Sequence, residues 1–192
     1  RQYMEYLDGI KEELLQCQSE NRRILEGKYP SVQSFLMENG KTPAVLWNRY
    51  YRQKDFLFLR LGIGDIPFQM GIKLSGNDKS IVQRRLTGEA AKLAERFASL
   101  KEAPVGVNLY ENRQIGIWGN QDLAGALGIV LTLLMQTALS HCYTEVKTVC
   151  FYHKDRSPER EIADCFRWLP HSWSADKETR FLAGSEKEAG EI

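Results

Sequence analysis

The residues best placed for chemistry form the run GNQDLAGA, which begins at Gly119 and leads into the uncharged apolar stretch 123–139. A glycine-rich turn between a strand and a helix can cradle phosphate, because backbone N–H groups and the helix dipole both point at the anion. The full pattern, G-x-x-x-x-G-K-[ST], adds a lysine for the outer phosphates and a hydroxyl for Mg²⁺. Counting from Gly119, Ala124 takes the place of the second glycine, Gly125 that of the lysine and Ala126 that of the hydroxyl. Shifting by one to use Gly125 as the glycine puts Ala126 and Leu127 in those places.

No lysine or arginine occurs from Gln114 to Val146, so neither register supplies a local cation. Each missing charge-assisted contact is worth about 1.5–3 kcal/mol, so losing two weakens nucleotide binding by about 10²–10⁴-fold. Asp122 suits the positive end of the following helix and would repel a phosphate there. Gly119, Asn120, Gln121, Asp122 and Gly125 therefore read as a vestigial phosphate loop, and no catalytic residue is assigned. The strand expected at 146–152 is followed by His153, Lys154 and Asp155, which leaves Asp155 as the single nearby candidate for Mg²⁺. The bland alternative is an ordinary strand–helix–strand unit, in which a lone glycine is common.

Two other chemistries are weaker. His141, Cys142, Cys150 and His153 could be imagined around zinc, but they lack knuckle-type spacing, and no metal site is expected. No G-x-S-x-G run marks a nucleophile. The four cysteines, Cys17, Cys142, Cys150 and Cys165, form no Cys-x-x-Cys pair and read as reduced thiols of a cytosolic protein. With 26 basic and 25 acidic residues the net charge is +1, so nucleic acid or an anionic membrane would need a local patch. Such a patch could be WNRYYRQKDF, with Arg49, Arg52 and Lys54 among aromatics; near-neutral charge makes it the weakest functional reading.

The elements that must hold these residues read as follows. Tyr3, Leu7, Ile10, Leu14, Cys17, Asn21 and Ile24 alternate by four and three, a heptad seam that predicts one helix over about 1–26. Docking on its own domain and a self-associating stalk are equally compatible with it. Gly27 and Tyr29-Pro30 stop that helix, and Ser31 caps a short one toward Asn39-Gly40. Phe56–Leu61 reads as a strand ending in the Gly62-x-Gly64 turn, with a second strand near Phe68–Leu74. A helix capped by Asp78 or Ser80 runs to Phe97. Strands at 105–109 and 114–118 are expected to meet across Glu111-Asn112. The apolar helix 123–139 follows, then the strand 146–152, giving one βαβ unit with a parallel sheet. The apolar run spans about 26 Å at about 1.5 Å per residue, short of a bilayer core, and lacks interfacial anchors. Burial against a sheet explains it better. A helix near Pro158–Phe166 comes next, and the charged end 185–192 reads as a flexible tail. The chain starts at Arg1 with charged helix, as a piece cut from a longer protein would.

Three separated motifs, LWNR (46–49), DFLFLRLGIG (55–64) and RWLPH (167–171), together resemble one family. It is the EssC/EccC membrane ATPase of bacterial type VII secretion systems, related to FtsK and SpoIIIE translocases. The matching segment lies between the transmembrane helices and the first recognised ATPase domain. The resemblance covers essentially the whole chain, with Asn48 departing from an acid often found between the Trp and the Arg.

The resemblance implies an α/β, RecA-like domain with a degenerate nucleotide site (28–184) behind a membrane-proximal stalk helix (1–27), on the cytoplasmic side of the cell membrane. It also implies downstream ATPase domains in the same chain, other membrane components including a ubiquitin-like partner, and a hexamer. ATP and Mg²⁺ are expected in the downstream domains, with no cofactor for this segment. The function read from it is non-catalytic coupling of the membrane part to the motors. The alternative is a divergent ATPase domain completed in trans by a neighbouring subunit.

Trp47, Arg49, Asp55, Arg60, Gly62, Gly64, Trp168 and His171 carry the motifs and are candidate interface or structural residues. For Arg60 an internal salt bridge to Asp55 or Asp65 competes with an interface role. For Trp47, Trp168 and Trp173 core packing competes with a partner surface. His171 reads as a hydrogen-bonded packing residue.

Overall fold

A computed structural model describes residues 2–37, 46–68, 81–119 and 123–192. These residues form two compact units, Arg1–Tyr29 with Gly62–Val105 and Pro30–Leu61 with Gly106–Ile192. The described residues are mixed α/β, with seven helices and two two-stranded sheets.

The first unit is built on α1 (Gln2–Lys28), the long helix that the heptad seam predicts. Leu7 and Leu14 of that seam are buried, and Ile24 is exposed. Along the second half of α1 polar groups replace apolar ones. The Gln18 amide donates to Ser99 O at 3.0 Å and Arg22 Nε to Lys101 O at 3.1 Å, so α1 is tied to the strand β2 (Ser99–Asn108). Phe97, Leu100 and Ala103, which follow α3 (Ile81–Arg96) in the chain, are buried as well.

The strand β1 (Phe58–Pro67) pairs with β2. Leu109 N donates to Leu57 O at one end of the pair and Phe68 N to Ala98 O at the other, which is antiparallel order. β1 does not stop at its glycines as expected. Gly62 and Gly64 lie inside the strand, whose alternation continues with Leu61, Ile63, Asp65 and Pro67 exposed. The second strand expected at 68–74 falls mostly outside the described residues. The helix expected beyond Ser31 is α2 (Val32–Met37).

In the second unit, the expected pair of strands around Glu111-Asn112 is replaced. Residues Leu109–Asn112 form a helical turn, α4, because the Asn108 side chain accepts from Tyr110 N and Glu111 N and caps it. The segment 113–119 has no strand, and Trp118 is 95% exposed. Its IGIW alternation finds no partner strand among the described residues. The long helix α5 (Leu123–Ser140) stands where expected. Of 146–152 just Cys150–Phe151 is a strand, β3. Its parallel partner is β4 (Leu182–Ala183), with Cys150 opposite Leu182 and Phe151 opposite Ala183. The parallel crossover therefore runs through α6 (Ser157–Phe166), not through α5. Residues 185–192, read from sequence as a flexible tail, include the turn α7 (Glu186–Ala189), capped by the Ser185 hydroxyl on Glu188 N.

α5 is the one helix among the described residues long and apolar enough to cross a membrane, and 22% of it is buried. The buried positions are Leu133, Gln136, Thr137 and Ser140, one face at spacings of three, one and three. Three of those four are polar.

Candidate functional site

A helix leaves its last four carbonyls without helical partners, and a buried end must find others. α5 ends among buried groups, since Ser140 is 3% exposed and His141 is fully buried. LWNR supplies three of the donors. Trp47 Nε1 donates to Ala138 O at 3.0 Å, Trp47 N to Leu139 O at 2.8 Å and Arg49 N to Ser140 O at 3.1 Å. RWLPH reaches the residue just past the helix, as His171 Nε2 donates to His141 O at 2.8 Å.

The third motif closes the junction from the strand side. The Gln136 carboxamide accepts from Arg60 N at 2.8 Å and donates to Arg60 O at 2.7 Å, taking the place of a neighbouring strand. Leu57 N donates to His141 Nε2 at 3.0 Å. The Arg49 guanidinium, 6% exposed, donates to Phe58 O. All three motifs thus meet within residues 136–141 of the chain, which is why residues so far apart in sequence belong together.

Two motif residues hold strained backbone there. Trp47 and Leu57 have φ of 52° and 56°, the left-handed region that costs a non-glycine residue about 1–2 kcal/mol. Trp47 is held by its two hydrogen bonds to α5, and Leu57 by one to His141 Nε2 and one from Leu109 N. Trp47 also meets Tyr143 edge-on with ring centres 5.6 Å apart, and Tyr143 meets His171 at 6.2 Å.

The tautomers follow from these bonds. His141 Nε2 accepts from Leu57 N, so its proton sits on Nδ1, 3.3 Å from Thr137 O. His171 donates through Nε2, and its buried Nδ1 has no hydrogen-bond partner. Burial first, and the Arg49 charge second, lower the His141 pKa from 6.5 to about 4. Burial lowers that of His171 as well. Both rings are neutral hydrogen-bonding links, held against proton uptake at neutral pH.

Of the expected site residues, Trp47, Arg49, Arg60 and His171 come together, and Asp55 is near enough for its charge to act on His141. Gly62 and Gly64 lie inside β1. Trp168 is 79% exposed, with the Arg167 guanidinium 5.9 Å from its ring centre. In the vestigial loop, Asn120, Gln121 and Asp122 fall outside the described residues, and Gly125 is exposed in the first turn of α5. Asp155 is exposed, 4.0 Å from His153 Nδ1.

The imagined zinc residues are engaged separately: His141 as above, Cys142 Sγ with Thr144 Oγ1 at 3.1 Å, and His153 N with Glu159 Oε2 at 2.9 Å. Among the described residues no group of three or more His, Cys, Asp or Glu side chains could hold a metal ion. The sequence reading missed Gln136, Leu57 and Tyr143. A signal for Gln136 was present, since Leu133, Gln136, Thr137 and Ser140 share a helical face inside an otherwise apolar run.

No family model matches the chain. It is similar to the ESX secretion system protein EccC of Geobacillus thermodenitrificans, 27% identical over 177 residues, which cover 89% of this chain and 11% of that protein. It is also similar to the ESX secretion system protein YukB of Bacillus subtilis, 26% identical over 171 residues, 88% of this chain and 11% of that protein. The type VII secretion system protein EssC of Staphylococcus aureus is 27% identical over 175 residues, again 89% and 11%. The chain thus spans about a tenth of the length of these curated relatives.

Proposed function

From its kinship with one segment of the EssC/EccC-type proteins of type VII secretion systems, we propose that this chain is a non-catalytic coupling domain of a secretion motor. It links the membrane part of such a protein to ATPase domains further along and transmits motion between them. The observation that carries this reading is the convergence of all three motifs on the end of α5, where they make buried hydrogen bonds instead of lining a reaction site. A part that passes on force needs such a stiff joint between helix and strand, and needs no nucleophile or base.

The absence of any lysine or arginine from Gln114 to Val146 supports the same reading, since a nucleotide's phosphates would meet no local cation on the loop or on α5. A RecA-like ancestry with a degenerate site accounts for the retained glycine loop and apolar helix. In the assembled system the domain would sit on the cytoplasmic side of the membrane, in a hexamer, beside other membrane components including a ubiquitin-like partner. Titration calorimetry of the chain with Mg-ATP tests the reading. The expected result is no binding tighter than millimolar and no turnover, and micromolar binding with hydrolysis would overturn it.

A further inference from the structure

The second unit holds a half-open cavity of about 510 Å³, lined by Tyr143, Lys147, Trp168, Trp173, Ser174 and Lys177 among others. That is the size of an ordinary small-molecule site, and aromatic walls with a few placed polar groups are the usual make-up of one. We propose that this cavity binds a small organic anion with a flat apolar body, of the aryl carboxylate or aryl phosphate class.

Two of the walls, Trp173 and Tyr143, are held in place before any ligand arrives, and Trp168 forms a third that is 79% exposed. Trp173 is backed by the Arg180 guanidinium, 4.2 Å from its ring centre, and is bridged to Arg180 in antiparallel fashion. Tyr143 is wedged edge-on between Trp47 and His171. Lys147 Nζ donates to Pro170 O at 3.2 Å and lies 5.4 Å from the Tyr143 ring centre, which leaves two of its three protons for another acceptor. Lys177 is set at the rim by a turn in which it takes a φ of 64° and donates its N–H to Ser174 O.

The polarity of the lining selects the charge of the guest. The residues around the cavity include two lysines and no acid. Neither lysine has a carboxylate partner among the described residues. The acids nearest in sequence are Asp176 and Glu178, which flank Lys177, and Glu145, two residues before Lys147. None of them is in the lining, and Asp176 is bound into its own turn by Ser174 Oγ and Glu178 N. A flat ring between Trp168 and Trp173 with an anionic group at the two ammonium groups satisfies both the faces and the charges. A cation would meet like charge.

The cavity's chemistry is independent of the secretion reading, and its test does not involve ATP. Naphthoate is titrated into the full chain, followed by tryptophan fluorescence and calorimetry, beside naphthalenemethanol, which has the same rings without the charge. The expected dissociation constant for naphthoate is below about 1 mM, with the neutral analogue about tenfold weaker. Lys147→Ala and Lys177→Ala should each weaken naphthoate about threefold to tenfold, leave the neutral analogue unchanged and leave the unfolding midpoint near that of the unmodified chain. Lys101→Ala, in the other unit, should change nothing. Equal binding of the two probes, or naphthoate binding insensitive to both cavity lysines, would overturn the proposal.

Discussion

Gln136 and Arg60 are joined by two hydrogen bonds, with the side-chain amide of one spanning the main-chain N–H and C=O of the other. A glutamine in a helix thereby acts as the missing neighbour of a strand. Its amide is buried, and so a substitution exposes no water to replace it.

Gln136→Leu should destabilise the chain by about 2–4 kcal/mol, because two main-chain groups lose their partners at about 1–2 kcal/mol each. Gln136→Glu should be as damaging at pH 7, where the carboxylate accepts from Arg60 N but cannot donate to Arg60 O. Lowering the pH toward 5 should recover part of that loss for the Glu variant alone, since its protonated form can donate. Urea unfolding at the two pH values checks both outcomes.

Two glycines should respond to alanine to different degrees. A Cβ at Gly106 would strike Leu59 O and come within 2.6 Å of the Phe58 ring, and the strand carbonyl cannot swing away. Gly106→Ala should therefore cost about 3 kcal/mol. At Gly184 the added carbon strikes the Lys154 side chain from Cγ outward, and that chain, unlike a strand carbonyl, can swing toward solvent if it gives up its ion pair with Glu188. Gly184→Ala should cost about 1–2 kcal/mol. Thermal unfolding of the two variants, measured side by side, distinguishes them.

The long helices were legible because their apolar spacing and stops are local. The seam of α1 and the apolar run of α5 each predict their element to within a few residues. The strand at 114–118 misled because alternation reports a potential face, and a strand also needs a neighbour that no local pattern reveals. The motif residues were visible as odd combinations, but their purpose was not. Trp47, Arg49 and His171 act mainly through main-chain carbonyls of residues 138–141, and a carbonyl carries no sequence signature. Gln136 was readable in principle, as a polar residue on the face shared with Thr137 and Ser140. It was masked by the strength of the apolar signal around it.

Acid should loosen the junction before neutral pH does anything to it. The folded pKa of His141 is depressed to about 4, so below the unfolded value of 6.5 the unfolded chain binds the proton more readily. Stability contributed by the neutral ring is complete above 6.5 and is lost as pH falls toward 4. His171, shifted in the same direction, adds to the loss. The unfolding midpoint should fall through this window, and less steeply in His141→Gln, whose amide can still accept from Leu57 N.

Arg49 offers a sharper version of the same test. Its charge is the second cause of the low His141 pKa, after burial, and its guanidinium also donates to Phe58 O. Arg49→Met removes both effects, so the His141 pKa should rise toward 6.5 and the acid loss should begin at higher pH. Arg49→Lys keeps the charge while giving up the planar fork. It should weaken the junction but leave the His141 titration low. Imidazole chemical shifts followed from pH 8 to pH 3 separate charge from geometry. If the Met and Lys variants titrate His141 at the same pH, Arg49 acts on the ring through packing alone.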